Sequence, residues 1–230
     1  MSHDLVLCEK RGHVSYVTLN RPEVDNAIDT EMAVALQEVC RKINQDPETR
    51  VAVLTASGTK AFCSGEDLQK FSGSVSGDDP SLDSLKQFSL RYNVAEMVAG
   101  IECPVVAAIN GDAFGAGLAL ALASDLRIAS AQASFGVGDA AHSIMLANGL
   151  TQLLPRIVGR GKAMQLLLTG ESITASEALN IGLLHRVVAH NDVLSEAAKM
   201  AEDMASKAPI ALRYAKEAVN KGMDLTLEQA

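Results

Sequence analysis

The sequence lacks the features that mark secreted and membrane proteins. Charged side chains stand near its start, where a signal peptide needs an apolar run. No uninterrupted apolar stretch reaches the roughly 18 residues that a membrane-spanning helix requires. No two of the four cysteines form a Cys-x-x-Cys pair; they are Cys8, Cys40, Cys63 and Cys103. These absences predict a cytoplasmic protein with reduced thiols and no membrane partner.

Positive charge is also in deficit. The 230 residues include 20 Lys and Arg against 28 Asp and Glu, which gives a net charge of −8. Nucleic-acid-binding proteins need clustered positive charge, and no such cluster offsets this balance. We therefore predict no nucleic-acid partner. Apolar residues make up 48% of the chain, enough for one substantial core and one domain.

The stretch from Cys103 to Ala129 carries the most informative pattern. Val105 to Ile109 is an unbroken apolar run typical of a strand that is covered on both faces. Gly115-Ala116-Gly117 then leads into Leu118 to Ala123, which is rich in Ala and Leu and predicts a helix. A strand, a glycine-rich loop and a helix N-terminus leave backbone N–H groups without partners. Such a site favours an anion or a developing oxyanion.

Two interpretations of this loop compete. Gly115-x-Gly117 resembles the start of a dinucleotide-binding fingerprint, but Leu120 stands where the third glycine belongs, and four residues separate the strand from Gly115. The second interpretation is one half of an oxyanion hole for acyl chemistry, which needs another convergent N–H. The segment from Ala61 to Leu68 follows a predicted strand, contains a glycine and could supply it.

Six segments together resemble the enoyl-CoA hydratase/isomerase, or crotonase, superfamily. They are Asn20-Arg21-Pro22 with Asn26-Ala27, Lys60 to Leu68, Pro104 to Gly117, Ser124 to Ala129, Ser134-Phe135-Gly136 and Leu168-Thr169-Gly170. The resemblance implies an α/β fold with a crotonase-like ββα superhelix in residues 1–190. It also implies a C-terminal helical region, residues 191–230, that packs across subunits in trimers or hexamers. The family usually adds a further helical segment, which would lie beyond Ala230.

The resemblance also implies a site for an acyl-CoA thioester. The backbone N–H groups of Glu66 and Ala116 would hold the thioester oxygen, while the Glu66 side chain would face solvent or the CoA ribose. No metal is implied, and no cofactor beyond the CoA of the substrate. The other residues expected to contact substrate are Asn26, Ala27, Asp67, Leu68, Gln69, Gly115, Gly117, Ala119 and His142.

The reaction depends on the acid and base opposite the thioester. Family hydratases hold a water between two glutamates, and the matching positions here are Ala119 and Asp139. Alanine cannot transfer a proton, so we expect Asp139 to act as a single shuttle. Δ3,Δ2-enoyl-CoA isomerisation therefore ranks first. A hydratase of fatty-acid or related acyl-CoA catabolism and a non-catalytic acyl-CoA-binding protein remain alternatives.

Two further polar side chains lie close to this site in the sequence. His142 stands three residues beyond Asp139 and offers a second acid or base, although a lone histidine in such a run is more often structural. Asp112 directly follows Asn110-Gly111, and we interpret it as a turn residue that bonds its own backbone.

Overall fold

The computed structural model describes residues 4–68, 70, 92–138, 148–223, 225–226 and 228–229. The strands in these residues are β1 Val6–Arg11, β2 Val14–Leu19, β3 Val51–Ala56, β4 Ala61–Cys63, β5 Val105–Ile109, β6 Asp112–Phe114, β7 Leu126–Ser130, β8 Ser134–Gly136, β9 Ile173–Thr174 and β10 Arg186–Val188. The helices are α1 Thr30–Gln45, α2 Val94–Ala99, α3 Ala116–Ala123, α4 Leu150–Val158, α5 Arg160–Thr169, α6 Ala175–Asn180, α7 Val193–Ala205 and α8 Pro209–Gly222.

The strands form two sheets that the chain visits in turn. The large sheet has the order β1-β2-β3-β5-β7-β10, and the small sheet has the order β4-β6-β8-β9. Only the pairs β1–β2 and β8–β9 are antiparallel among these ladders. The chain goes from β3 to β4, from β5 to β6 and from β7 to β8, so each pair places one strand in each sheet. This repeat confirms the predicted ββα superhelix.

Helix α1 begins directly after its capping residue. The Asp29 side chain precedes α1 and accepts a 2.8 Å hydrogen bond from the Met32 backbone N–H, which satisfies one of the free donors at the helix N-terminus. One face of α1 is buried against the sheet, through Met32, Leu36 and Ile43 among others. The short polar capping residue and the apolar spacing therefore fix both the start of this helix and its orientation.

Helix α7 covers the outer face of the large sheet. Four small or branched side chains at four-residue spacing, Val193, Ala197, Ala201 and Ala205, are fully or nearly buried there. They pack against a second apolar cluster of the central strands, which includes Val53 and Val106. The division of the chain at residue 191 stays a prediction. Helix α7, which lies beyond that position, shares a core with the strands.

Helix α8 lies at the surface and buries none of its residues. Its exposed apolar side chains include Ile210, Tyr214 and Val219. Nothing in the described part of the chain forms a helix both long and apolar enough to cross a membrane.

Candidate active site

Two glycine-containing turns meet at the end of the small sheet. Strands β4 and β6 pair in parallel, with Cys63 beside Ala113. The carboxyl ends of parallel neighbours lie at the same edge, so the segments that follow them are brought together. Glu66 follows β4, and Ala116 follows β6 as the first residue of α3. The structure thus brings together the two positions that the sequence singled out.

The turn before α3 requires a glycine. Gly115 has φ 49° and ψ −120°, a backbone conformation that residues with a Cβ rarely adopt. The first backbone hydrogen bond of the helix runs from the Ala119 N–H to the Gly115 carbonyl at 3.0 Å. The Ala116 N–H precedes it in the helix, so it belongs to the donors that a helix leaves free at its N-terminus.

The orientation of the Glu66 N–H is set by a short pairing with Ile28. Ile28 donates to the Gly65 carbonyl at 2.8 Å, and Asp67 donates to the Ile28 carbonyl at 2.9 Å. Glu66 lies between these two bonds, in an isolated parallel bridge with Ile28. Because consecutive backbone groups of an extended segment point to opposite sides, the Glu66 N–H faces away from Ile28 and toward α3.

The two turns approach each other at their backbones. A Cβ atom at Gly65, next to Glu66, would lie 3.8 Å from the Ala116 nitrogen. The Asn148 side-chain amide donates to the Glu66 carboxyl at 2.7 Å. Burial raises the pKa of the Glu66 carboxyl, and hydrogen bonding opposes part of the rise. The expectation that this side chain faces solvent or the ribose is therefore corrected: its carboxyl bonds to the buried Asn148.

Asn148 is the functional candidate that sequence reasoning missed. It is buried and takes a left-handed backbone conformation with φ 54°. Its side-chain oxygen accepts from the Val94 N–H at 3.1 Å, at the start of α2. This bond orients the amide so that its NH₂ group faces Glu66. The Asn-Gly dipeptide at 148–149 indicates only a turn, so the sequence carries no signal for this contact.

Gly117 allows α3 to approach β4 closely. A Cβ atom at this position would lie 2.1 Å from the Cys63 carbonyl oxygen, well inside contact distance. The helix N-terminus and the end of β4 are thus in direct backbone contact, which holds the Ala116 N–H near Glu66. The role expected for Gly117 at the substrate stays a prediction, but its role in packing follows from this contact.

Replacing Gly117 by alanine is expected to destabilise the protein by about 1–3 kcal/mol, because the new methyl group forces α3 away from β4. Gly161 in α5 is the matched control, since a Cβ there meets nothing within 4 Å. Gly161→Ala should leave the free energy of unfolding unchanged or raise it by up to about 1 kcal/mol. Urea denaturation measures both, and a Gly117→Ala protein as stable as the wild type would contradict the packing argument.

A buried ion-pair network supports the segment that carries Glu66. Arg21 is 8% exposed and contacts Asp67 at 2.9 Å and Asp29 at 3.1 Å. Lys70 also pairs with Asp29. The Asp67 carboxylate therefore bonds to Arg21, and its predicted contact with substrate stays a prediction. Leu68 follows it and is partly buried, and its predicted contact with substrate also stays a prediction.

Asn26 and Ala27 form hydrogen bonds that hold the backbone around the site. The Asn26 side chain is buried, accepts from the Arg21 N–H at 2.9 Å, and donates to the carbonyls of Ser57 and Ala61, each at 3.0 Å. The Ala27 carbonyl accepts from the Arg21 guanidinium at 2.7 Å. These bonds fix the chain ahead of β4. Substrate contact by either residue stays a prediction.

The surroundings of Ala119, Asp112 and Cys63 limit the chemistry that each can perform. Ala119 is fully buried in α3, and its methyl group offers no acid or base at this helix position. Asp112 accepts from the Ser134 N–H at 2.9 Å, so the interpretation that it bonds its own turn is wrong. Burial raises the pKa of the Cys63 thiol to about 12, so the thiol stays protonated and unreactive. Gln69, Asp139 and His142 lie outside the described residues.

Comparisons with known proteins find similarity along nearly the whole chain. Residues 9–230 match the family model described as enoyl-CoA hydratase/isomerase. The (E)-benzylidenesuccinyl-CoA hydratase of Thauera aromatica is 41% identical over 224 residues, covering 97% of this chain and 85% of that protein. The short-chain-enoyl-CoA hydratase of Clostridium acetobutylicum is 36% identical over 225 residues, covering 98% of this chain and 84% of that protein. A crystal structure of enoyl-CoA hydratase from Bacillus anthracis superposes with a TM-score of 0.90 at 37% identity, covering 98% of this chain and 86% of that one.

Proposed function

The chain belongs to the enoyl-CoA hydratase/isomerase family, and we propose that it stabilises the enolate of an acyl-CoA thioester through the Glu66 and Ala116 amides. The observation that carries the proposal is the close approach of the two turns, since a Cβ atom at Gly65 would lie 3.8 Å from the Ala116 nitrogen. The Ala116 N–H is a free donor at the start of α3, and the Glu66 N–H faces away from its bridge partner Ile28. Two preorganised donors this close are suited to the negative oxygen of an enolate.

The reaction that we place first is Δ3,Δ2-enoyl-CoA isomerisation. Asp139 removes a proton from C2 of a 3-enoyl-CoA, and the resulting dienolate places its negative charge on the oxygen held by the two amides. The same proton, now on Asp139, returns to C4, so the double bond moves from C3 to C2 and no other atom changes. One carboxylate is sufficient for this cycle, which agrees with the buried alanine at position 119.

Hydration of a 2-enoyl-CoA is the second candidate. The names of the relatives favour it, since they include a short-chain-enoyl-CoA hydratase and a crotonyl-CoA hydratase. Hydration needs an acid and a base around one water. Ala119 supplies neither, so this reaction requires a second group elsewhere in the site.

Isotope exchange tests the formation of the enolate. In D₂O the protein should exchange the C2 protons of butyryl-CoA, because enolate formation labilises them, and it should convert 3-hexenoyl-CoA to the 2-enoyl isomer. Water addition to crotonyl-CoA without isomerisation would favour the hydratase. A protein that binds acyl-CoA without exchange would contradict the catalytic proposal and favour the non-catalytic alternative.

The assembly and cellular setting belong to the same proposal. The enzyme acts in the cytoplasm as a trimer or hexamer and needs no cofactor beyond the CoA of its substrate. The apolar side chains on exposed α8, such as Ile210 and Tyr214, support an assembly in which that helix is covered.

A further inference from the structure

One carboxyl group beside the proposed amides has no role in the proposed function. It belongs to Glu66, whose backbone supplies one of the two donors and whose carboxyl accepts the 2.7 Å hydrogen bond from the Asn148 amide. We propose that this carboxyl is the acid that protonates C2 of the substrate during hydration, with Asn148 as its positioning residue. The inference rests on the proposed function, because the two amides define where the substrate lies.

The covalent structure of Glu66 keeps its carboxyl close to the thioester. Four bonds of about 1.5 Å join the backbone nitrogen to the carboxyl carbon, so these two atoms lie at most about 5 Å apart. A thioester oxygen that accepts from the Glu66 N–H lies about 3 Å from the same nitrogen. C2 is two bonds beyond that oxygen. A carboxyl that turns to the side of the N–H is therefore within reach of C2.

Asn148 shows to which side the carboxyl turns. It is 4% exposed and stands just before α4, and its side-chain oxygen accepts a 3.1 Å hydrogen bond from the Val94 N–H at the start of α2. Helices α2 and α4 both pack against α3, the helix that begins with Ala116. The Glu66 N–H also faces α3, away from Ile28. The carboxyl and the two amides therefore lie on the same side of the segment that carries Glu66.

The surroundings of this carboxyl favour the neutral form that an acid needs. Burial raises the pKa of the Glu66 carboxyl, and hydrogen bonding opposes only part of the rise. Helix α3 carries no titratable side chain, and the Cys63 thiol of β4 stays neutral because burial raises its pKa to about 12. The cations of the neighbouring segment, Arg21 and Lys70, pair with aspartates. A proton on Glu66 is thus available at a higher pH than on an exposed glutamate.

Hydration then proceeds with one base and one acid. The base of the proposed function takes a proton from water, and the water oxygen adds to C3 of a 2-enoyl-CoA. The electron pair of the C2=C3 bond passes to the thioester oxygen, which becomes an enolate held by the two amides. The Glu66 carboxyl gives its proton to C2, and the 3-hydroxyacyl-CoA leaves. Proton transfer from the base to Glu66 through solvent restores both groups, so the side chain supplies the acid that Ala119 cannot.

Glu66→Gln tests the role of the acid, because it keeps the shape of the side chain and an oxygen for Asn148 but has no acidic proton. We expect kcat for hydration of crotonyl-CoA to fall about 10²- to 10⁴-fold with little change in KM. The ratio of this rate to the isomerisation of 3-hexenoyl-CoA should fall by a similar factor, whereas a damaged fold lowers both rates together. Glu23→Gln makes the same chemical change at an exposed position and should alter neither rate. Thermal unfolding of each variant confirms that it is folded.

Asn148→Asp tests the positioning role. Aspartate keeps the oxygen that accepts from Val94 and tolerates the left-handed backbone at φ 54°, but it replaces the NH₂ donor by a second carboxyl group. Two adjacent carboxyl groups raise the pKa of Glu66 further, since like charges disfavour ionisation. Hydration needs the protonated acid, so the pH above which kcat declines should move upward. A merely structural role for Asn148 would lower the rate without moving this pH.

The outcomes separate this inference from the proposed function. Normal hydration by folded Glu66→Gln, or an equal loss of hydration and isomerisation, would overturn the acid role while the two amides keep theirs. A wild type that isomerises 3-hexenoyl-CoA but does not hydrate crotonyl-CoA would overturn it as well. An unshifted pH profile in Asn148→Asp would overturn the positioning role. If the folded wild type neither exchanges the C2 protons of butyryl-CoA nor converts either substrate, the proposed function itself fails.

Discussion

Replacing Ala116 by proline is expected to reduce the rate of C2 proton exchange by about 10²- to 10³-fold, the loss that follows removal of one oxyanion-hole donor. Proline has no backbone N–H, so the substitution deletes the donor directly. Ala116 is the first residue of α3, a position where the fixed φ of proline suits the helix. The rate constant is measured with saturating butyryl-CoA in D₂O.

Thr30→Pro is the matched control for this variant. Thr30 is the first residue of α1, is exposed, and follows Asp29 in an extended conformation that tolerates a following proline. Its exchange rate should equal that of the wild type. An Ala116→Pro protein that is folded by circular dichroism and still exchanges at the normal rate would show that the Ala116 N–H is not a donor in the reaction.

Asp139→Asn is expected to slow isomerisation of 3-hexenoyl-CoA by about 10²- to 10⁴-fold, the effect of removing a general base. The side-chain shape is kept, so the dissociation constant for butyryl-CoA should hardly change. Such a result lowers kcat and kcat/KM together, as expected for an interaction made only in the transition state. Steady-state kinetics measure the isomerisation rate, and calorimetry measures the dissociation constant for butyryl-CoA.

Asp112→Asn provides a control with the same chemical change. The Asp112 side chain accepts from the Ser134 N–H, and an asparagine oxygen can accept the same bond. Its activity should therefore stay near that of the wild type. Normal turnover by Asp139→Asn together with an inactive His142→Ala would show that matching this chain to the family, position by position, assigns the base to the wrong residue. The catalytic group would then lie elsewhere around the thioester.

The parts of the fold that sequence predicts are those set by local chemistry. The run Val105–Ile109 forms β5 with the predicted bounds, because unbroken apolar character before a polar turn defines a buried strand. Helix α1 starts directly after Asp29 for a similar local reason, because this side chain accepts a hydrogen bond from the first turn. Helix α3 begins two residues before the predicted Leu118, since Gly117 disfavours a helix locally but is required by the contact with Cys63.

The parts that sequence does not predict depend on distant contacts. The positions of the two amides follow from the match with the family, and the structure brings the two turns together. The direction of the Glu66 side chain was unexpected, because it depends on Asn148, 82 residues away. Helix α7 has an apolar face that its sequence predicts, but the sheet surface that this face covers is built from four separate strands.

The pairing of Ile28 with the segment after β4 has a consequence for insertions and deletions. Bonds to Ile28 use the Gly65 carbonyl and the Asp67 N–H, and the residue between them is the one whose N–H points to the other side. Adding or removing one residue between β4 and this bridge would reverse that alternation and turn the donor toward Ile28. An insertion or deletion in this segment therefore keeps the donor in place only if it changes the length by two residues. The N–H itself does not depend on the side chain at position 66, because every residue type except proline supplies it.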